Sequence, residues 1–114
     1  MKKLDNHFQL YINGEWRSGS TNQIMHSQNP HNNQTWASFD CASEKDIDLA
    51  VQSAKDALNN QSWKSMTASN RGKLLFRLAD LIENNADNIG NIEAQDSGKL
   101  LAETVSQTKY VSEY

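Results

Sequence analysis

Few residues in this sequence stand at spacings that could do chemistry. Lys99 follows Gly98, and a Gly-Lys pair can close a phosphate-binding loop whose amides and lysine hold phosphate oxygens. Such a loop also needs glycine five residues before Gly98 and Ser or Thr after the lysine, where this chain has Glu93 and Leu100. No G-x-G-x-x-G occurs, so a dinucleotide fingerprint is missing from the chain. Cys41 could be a nucleophile, but Glu44, Asp46 and Asp48 follow it and disfavour a thiolate, so it reads as a small inert residue. His7, His26 and His31 have neither metal-ligand spacing nor cysteine companions and read as solvated. Lys64, Arg71, Lys73 and Arg77 form a basic cluster of the kind nucleic-acid readers use, yet Asp80 and Glu83 follow one turn on and suit surface pairing. Trp16, Trp36 and Trp63 are too scattered to form a stacking platform and read as packing anchors. These residues compose no complete active site.

The elements that would position them change character near residue 40. Phe8 to Ile12 is rich in strand formers, Asn13-Gly14 suits a tight turn, and Glu15-Trp16-Arg17 resumes an extended pattern. Further short strands are predicted over Gln23 to Gln28 and Thr35 to Phe39, with a bend at Pro30. From residue 43 the period is helical. Ser43 can cap a first helix with Asp46 at its positive end, and Ile47, Ala50, Val51, Ala54, Ala57 and Leu58 make one stripe small enough for close approach. Asn59 to Ser62 ends that helix, and Thr67 or Ser69 can cap the next. Leu74, Leu75, Leu78, Leu81 and Ile82 give the second helix the strongest apolar face; Asn84-Asn85 breaks it. A shorter helix runs from about Asp87 to Gln95, Asp96-Ser97-Gly98-Lys99 forms its end, and Leu101 to Tyr114 is helical again. That last helix lacks a terminating signal, which suggests that the protein continues.

The 114 residues carry a net charge of −3, which disfavours a long electrostatic track for nucleic acid. Hydrophobic residues are 37%, below the roughly 45–50% of ordinary globular chains, so the core is small or is completed by other sequence. Met1-Lys2-Lys3 resembles the start of a signal peptide, but Leu4-Asp5-Asn6-His7 supplies no apolar run. No stretch is long and apolar enough for a membrane span, the two glycosylation triplets at Asn33 and Asn60 lack an export signal, and the lone cysteine suits a reducing compartment. The chain reads as cytoplasmic.

Tyr11-Ile12-Asn13-Gly14-Glu15-Trp16, Asn29-Pro30, Asp46 to Ala54, Trp63, Arg71 to Ile82 and Asp96-Ser97-Gly98-Lys99, taken in order, resemble the amino-terminal region of the NAD(P)-dependent aldehyde dehydrogenase superfamily. Leu100 departs from the proline many relatives carry after Gly-Lys. The resemblance implies an α+β segment: short antiparallel strands and a hairpin over about 8–40, then three to four helices over about 43–114. It would be an incomplete domain of an α/β fold about four times as long, with a Rossmann-like cofactor domain. In that family a cysteine thiolate attacks the aldehyde and hydride passes to NAD or NADP; every catalytic and cofactor-binding residue lies downstream. The chain alone is thus expected to bind no cofactor and to be inactive, its partner being the remainder of a homodimeric or homotetrameric enzyme. Backbone oxygens of Ser27 and Gln28 with the Asp96 carboxylate match ligands of a structural Na+ or K+, a hard cation that selects oxygen. Asp96 could instead only hydrogen-bond backbone at its helix end. Gln107 and Val111 match positions near the substrate entrance. The rival reading is a free-standing, non-catalytic helical module that binds a protein partner.

Overall fold

The structure, a computed structural model, describes residues 6–114, so the charged start Met1-Lys2-Lys3 and Leu4-Asp5 lie outside the described residues. Among these, short strands precede helices: β1 (His7–Phe8), β2 (Leu10–Ile12), β3 (Glu15–Arg17), β4 (Ile24–Asn29), β5 (Gln34–Asp40), α1 (Glu44–Asn59), α2 (Gln61–Lys64), α3 (Ala68–Asn84), α4 (Ala86–Ser97) and α5 (Leu101–Val111). The chain divides into two compact units, one running through Gln28 and over Thr35–Ser65, the other formed by Asn29–Gln34 and Met66–Tyr114.

In the first unit Asn13 and Gly14 take φ values of 56° and 79°. Two positive values in a two-residue loop suit the right-handed twist of the flanking strands, and β2 and β3 pair antiparallel with Ile12 opposite Glu15. Tyr11 and Trp16 meet across this hairpin with ring centroids 4.9 Å apart. The other sheet has the order β1-β5-β4. Here β1 runs parallel to β5, with His7 opposite Ser38, where the resemblance implies short antiparallel strands and a hairpin. A parallel pair requires a crossover of a dozen or more residues, and the long stretch between Phe8 and Gln34 supplies it.

Ser43 starts α1 with a reciprocal capping box: its hydroxyl accepts the Asp46 N–H at 3.3 Å while its own N–H donates to Asp46 Oδ2 at 2.9 Å. The helix lies against β2 and α2, and Ser53 donates to Asn13 Oδ1 at 3.2 Å. Asn60 both closes α1, through its N–H to the Ala57 carbonyl, and opens α2, its side chain accepting the Ser62 N–H. That single turn, too short to show a period, raises the helices to five from the expected three to four.

In the second unit Thr67 caps α3, accepting the Asn70 N–H at 3.3 Å. Asn85 ends α3 and begins α4, which runs two residues past the expected Gln95 and stops at Gly98, where φ is 75°. The closest packing is between α4 and α5. A Cβ on Gly90 would stand 2.8 Å from the Val105 nitrogen and 2.9 Å from its Cα, so only glycine lets the backbones approach this far. Thr104, fully buried, donates from Oγ1 to the Gly90 carbonyl at 2.8 Å and Thr108 donates to the Thr104 carbonyl. The helix then ends at Val111, Ser112 N–H turning back to the Lys109 carbonyl, rather than continuing to Tyr114. Among the described residues the buried hydrophobic ones are few: Ile12, Ala37 and Ala86. Among the described residues no helix is long and apolar enough to cross a membrane.

Candidate functional site

Ser27 and Gln28 sit near the end of β4, Ser27 half-buried and Gln28 exposed, and belong to the first unit. Asp96 lies exposed in the last turn of α4, in the second unit. Among the described residues no group of three or more His, Cys, Asp or Glu is gathered to hold a metal. Lys99 is taken by an ion pair with Glu93 at 2.6 Å, a partner that suits a helix-end contact better than phosphate.

Gln107 and Val111 are four residues apart on α5 and therefore share one face. Both are exposed. The α4·α5 clamp fixes that face: Thr104 and Thr108 point to the packed side, each satisfied by a backbone carbonyl. Val111 also helps wall a cavity of about 320 Å³ between α3 and the chain's last residues, lined by Leu75, Phe76, Ala79, Ile82 and Tyr114. Tyr114 is held by Tyr110: the hydroxyls are 2.5 Å apart and the rings 4.9 Å, and this bond pushes the Tyr110 phenol up from its ordinary value.

The strand unit holds a constellation the sequence did not signal. His7 Nε2 lies 3.3 Å from Asp40 Oδ1, while His7 Nδ1 lies 2.9 Å from Ser38 Oγ. His7 is exposed, as its sequence context predicts, and it also reaches a buried carboxylate. The Ser-His-Asp trio has the residue types of a nucleophilic triad, but its nearby amides are committed. Gly19 N–H donates to Asp40 Oδ2 and Ser38 N–H to the Asn6 carbonyl, so neither is available for an oxyanion. Its role is to pin β1 to β5. Cys41 is a half-buried free thiol just past β5. Trp16 departs from its reading as a packing anchor, being 65% exposed, whereas Trp36 is half-buried and its buried Nε1 has no acceptor among the described residues.

The strongest electrostatic feature is Asp46, only 6% exposed. Its Oδ2 accepts the N–H groups of Ser43 and Ser20 at 2.9 and 3.0 Å and both serine hydroxyls, at 2.8 and 3.0 Å. These bonds, the Ser43 amide foremost, hold its carboxyl well below the usual carboxylate range. The group is a fastener between the Gly19-Ser20 loop and α1.

The sequence model of the Aldehyde dehydrogenase family matches residues 16–114. The chain belongs to that family. The (Z)-2-((N-methylformamido)methylene)-5-hydroxybutyrolactone dehydrogenase of Acinetobacter baylyi is 43% identical over 107 residues, 94% of this chain and 22% of that protein. An NAD-dependent aldehyde dehydrogenase from Sinorhizobium meliloti superposes on 97% of this chain and 22% of its own, with a TM-score of 0.91 at 21% identity. Betaine aldehyde dehydrogenase of Staphylococcus aureus, solved in complex with NAD+, superposes on 91% of this chain with a TM-score of 0.87 at 26% identity, over 21% of its own. This chain therefore spans about a fifth of the aldehyde dehydrogenases it matches, and its strands and helices follow their amino-terminal part.

Proposed function

We propose that this chain is the opening segment of an NAD(P)-dependent aldehyde dehydrogenase, which oxidises aldehydes to carboxylic acids, and that it contributes structure rather than reacting groups. The observation that carries the reading is the continuous match of residues 16–114 to the family. The catalytic cysteine, the cofactor contacts and the oxyanion donors belong to the rest of the enzyme, where nicotinamide accepts hydride. Ser27, Gln28 and Asp96 offer hard oxygen atoms of the kind Na+ or K+ takes, and Gln107 and Val111 stand on the α5 face expected at the substrate entrance. The intact enzyme is a cytoplasmic homodimer or homotetramer on this reading, with neither nucleic acid nor membrane as partner.

The test is aldehyde-dependent NADH or NADPH formation by the purified 114-residue chain and by the longer polypeptide its gene encodes. We expect no turnover from the first and turnover from the second. Turnover by the short chain would sink the proposal, and so would a native stop after codon 114. That second result would favour the free-standing interaction module, which the exposed leucines of α3 also suit.

A further inference from the structure

Asn13-Gly14 is the sole Asn-Gly step of the sequence, and the features that make it a turn also set up a reaction. An asparagine side chain carries an electrophilic amide carbon, Cγ, and the backbone nitrogen of the next residue is tethered close enough to attack it. A side chain on that next residue would hinder the approach. Gly14 has none, and a Cβ built there would meet nothing within 4 Å. Both residues are exposed, so water reaches the turn. The ladder closes with Ile12 opposite Glu15, which leaves the Gly14 nitrogen outside it. One contact sets this turn apart from an Asn-Gly step in a flexible peptide. Ser53, half-buried on α1, donates its hydroxyl to Asn13 Oδ1 at 3.2 Å. That donor lies on the oxygen where negative charge develops when Cγ is attacked.

We propose that Asn13 is a site of spontaneous deamidation, with the Ser53 hydroxyl as the group that activates its side-chain amide. The Gly14 nitrogen gives up its proton and bonds to Asn13 Cγ, the Cγ–Nδ2 bond breaks, and Nδ2 leaves with that proton as ammonia, giving a succinimide. Water then opens the ring. Scission between Cγ and the Gly14 nitrogen gives an aspartyl residue, and scission of the original main-chain amide gives an isoaspartyl link. Either way one water is consumed and one ammonia released, and nothing is oxidised or reduced. The isoaspartyl link is the consequential product. It inserts the side-chain methylene into the main chain of a turn whose two residues hold φ values of 56° and 79° to close Ile12 on Glu15. The Tyr11 and Trp16 rings, 4.9 Å apart, are in register only while that closure holds. The amide that ties the turn to Ser53 is lost as well, so the hairpin comes away from α1. An ordinary aspartyl residue tolerates positive φ and keeps an acceptor for Ser53. The reaction is thus a slow, one-way release of the hairpin.

The test incubates the 114-residue chain in mildly alkaline buffer below its melting temperature and follows the tryptic peptide that ends at Arg17 by mass spectrometry. The mass reads the exchange of –NH2 for –OH, and fragmentation separates aspartyl from isoaspartyl product. We expect Asn13 to convert faster than any other asparagine of the chain. Ser53→Ala, which keeps a strong helix former on α1, should slow that conversion roughly two- to tenfold, the worth of one hydrogen bond, and Ser53→Thr should restore it. Were Ser53 only a tether, its loss would free the turn and speed conversion instead. In urea, where turn and helix are undone, Ser53→Ala and the unaltered chain should convert equally. As isoaspartyl product accumulates, the near-UV aromatic signal should fall in proportion, whereas Asn13→Asp should keep it. The proposal is overturned if Asn13 is no faster than the other asparagines, if Ser53→Ala converts as fast as the unaltered chain or faster, if it slows conversion equally in urea, or if isoaspartyl material keeps the full aromatic signal.

Discussion

Asp46 is the residue on which most of the local order converges, since one carboxylate oxygen serves four donors from two segments. Because those bonds favour the charged form, the folded carboxyl titrates well below its ordinary value of 3.8. The sign of the linkage follows. The contribution is fully present above the unfolded value and is lost as pH falls below about 4 toward the folded one. We expect the acid limb of the chain's stability to be steeper than that of Asp46→Asn, and the difference between the two to shrink steadily as pH is lowered. Urea unfolding at a series of pH values measures it; parallel acid limbs would show that the carboxylate is not held by these bonds. Ser43→Ala, which removes the reciprocal hydroxyl, should cost about 1 kcal/mol at neutral pH, the ordinary worth of a helix cap.

Among the elements, the α4·α5 pair does most to orient the face that carries Gln107 and Val111, and its closeness depends on Gly90. Two opposing effects meet there. Alanine in a helix interior gains up to about 1 kcal/mol over glycine. Against that, its Cβ would press on Val105 backbone atoms 2.8 and 2.9 Å away, which move only if the helices separate, and overpacking of this kind costs about 1–3 kcal/mol. The clash wins, so Gly90→Ala should destabilise the chain and loosen hydrogen-exchange protection at Val105. Gly72→Ala on α3 meets nothing within 4 Å and should stabilise it, which makes the pair a controlled comparison. Stabilisation by both would show that α4 and α5 are not this close in solution.

Features of this scale were legible in the sequence where their cause is local. The Asn13-Gly14 turn, the Ser43 and Thr67 caps and the stop at Gly98 each depend on residues within about four positions. The parallel β1–β5 pairing and the His7–Asp40 contact were not legible, because their partners stand more than 30 residues apart and neither partner's neighbours announce the other. Turn α2 escaped because four residues carry no period. Of the candidate site, the shared face of Gln107 and Val111 follows from spacing alone, whereas the α3 residues beside Val111 stand roughly 30 positions away and could not be read from it.

The whole molecule is marked by the apolar side chains it keeps in water: among the described residues Leu75 is 68% exposed, Phe76 77% and Tyr114 90%. Apolar surface left open on a folded chain binds hydrophobic dyes. The folded chain should therefore bind such a dye at neutral pH, and Leu75→Asp with Phe76→Asp should lower the fluorescence. A folded chain that binds no dye would mean that these side chains are covered in solution.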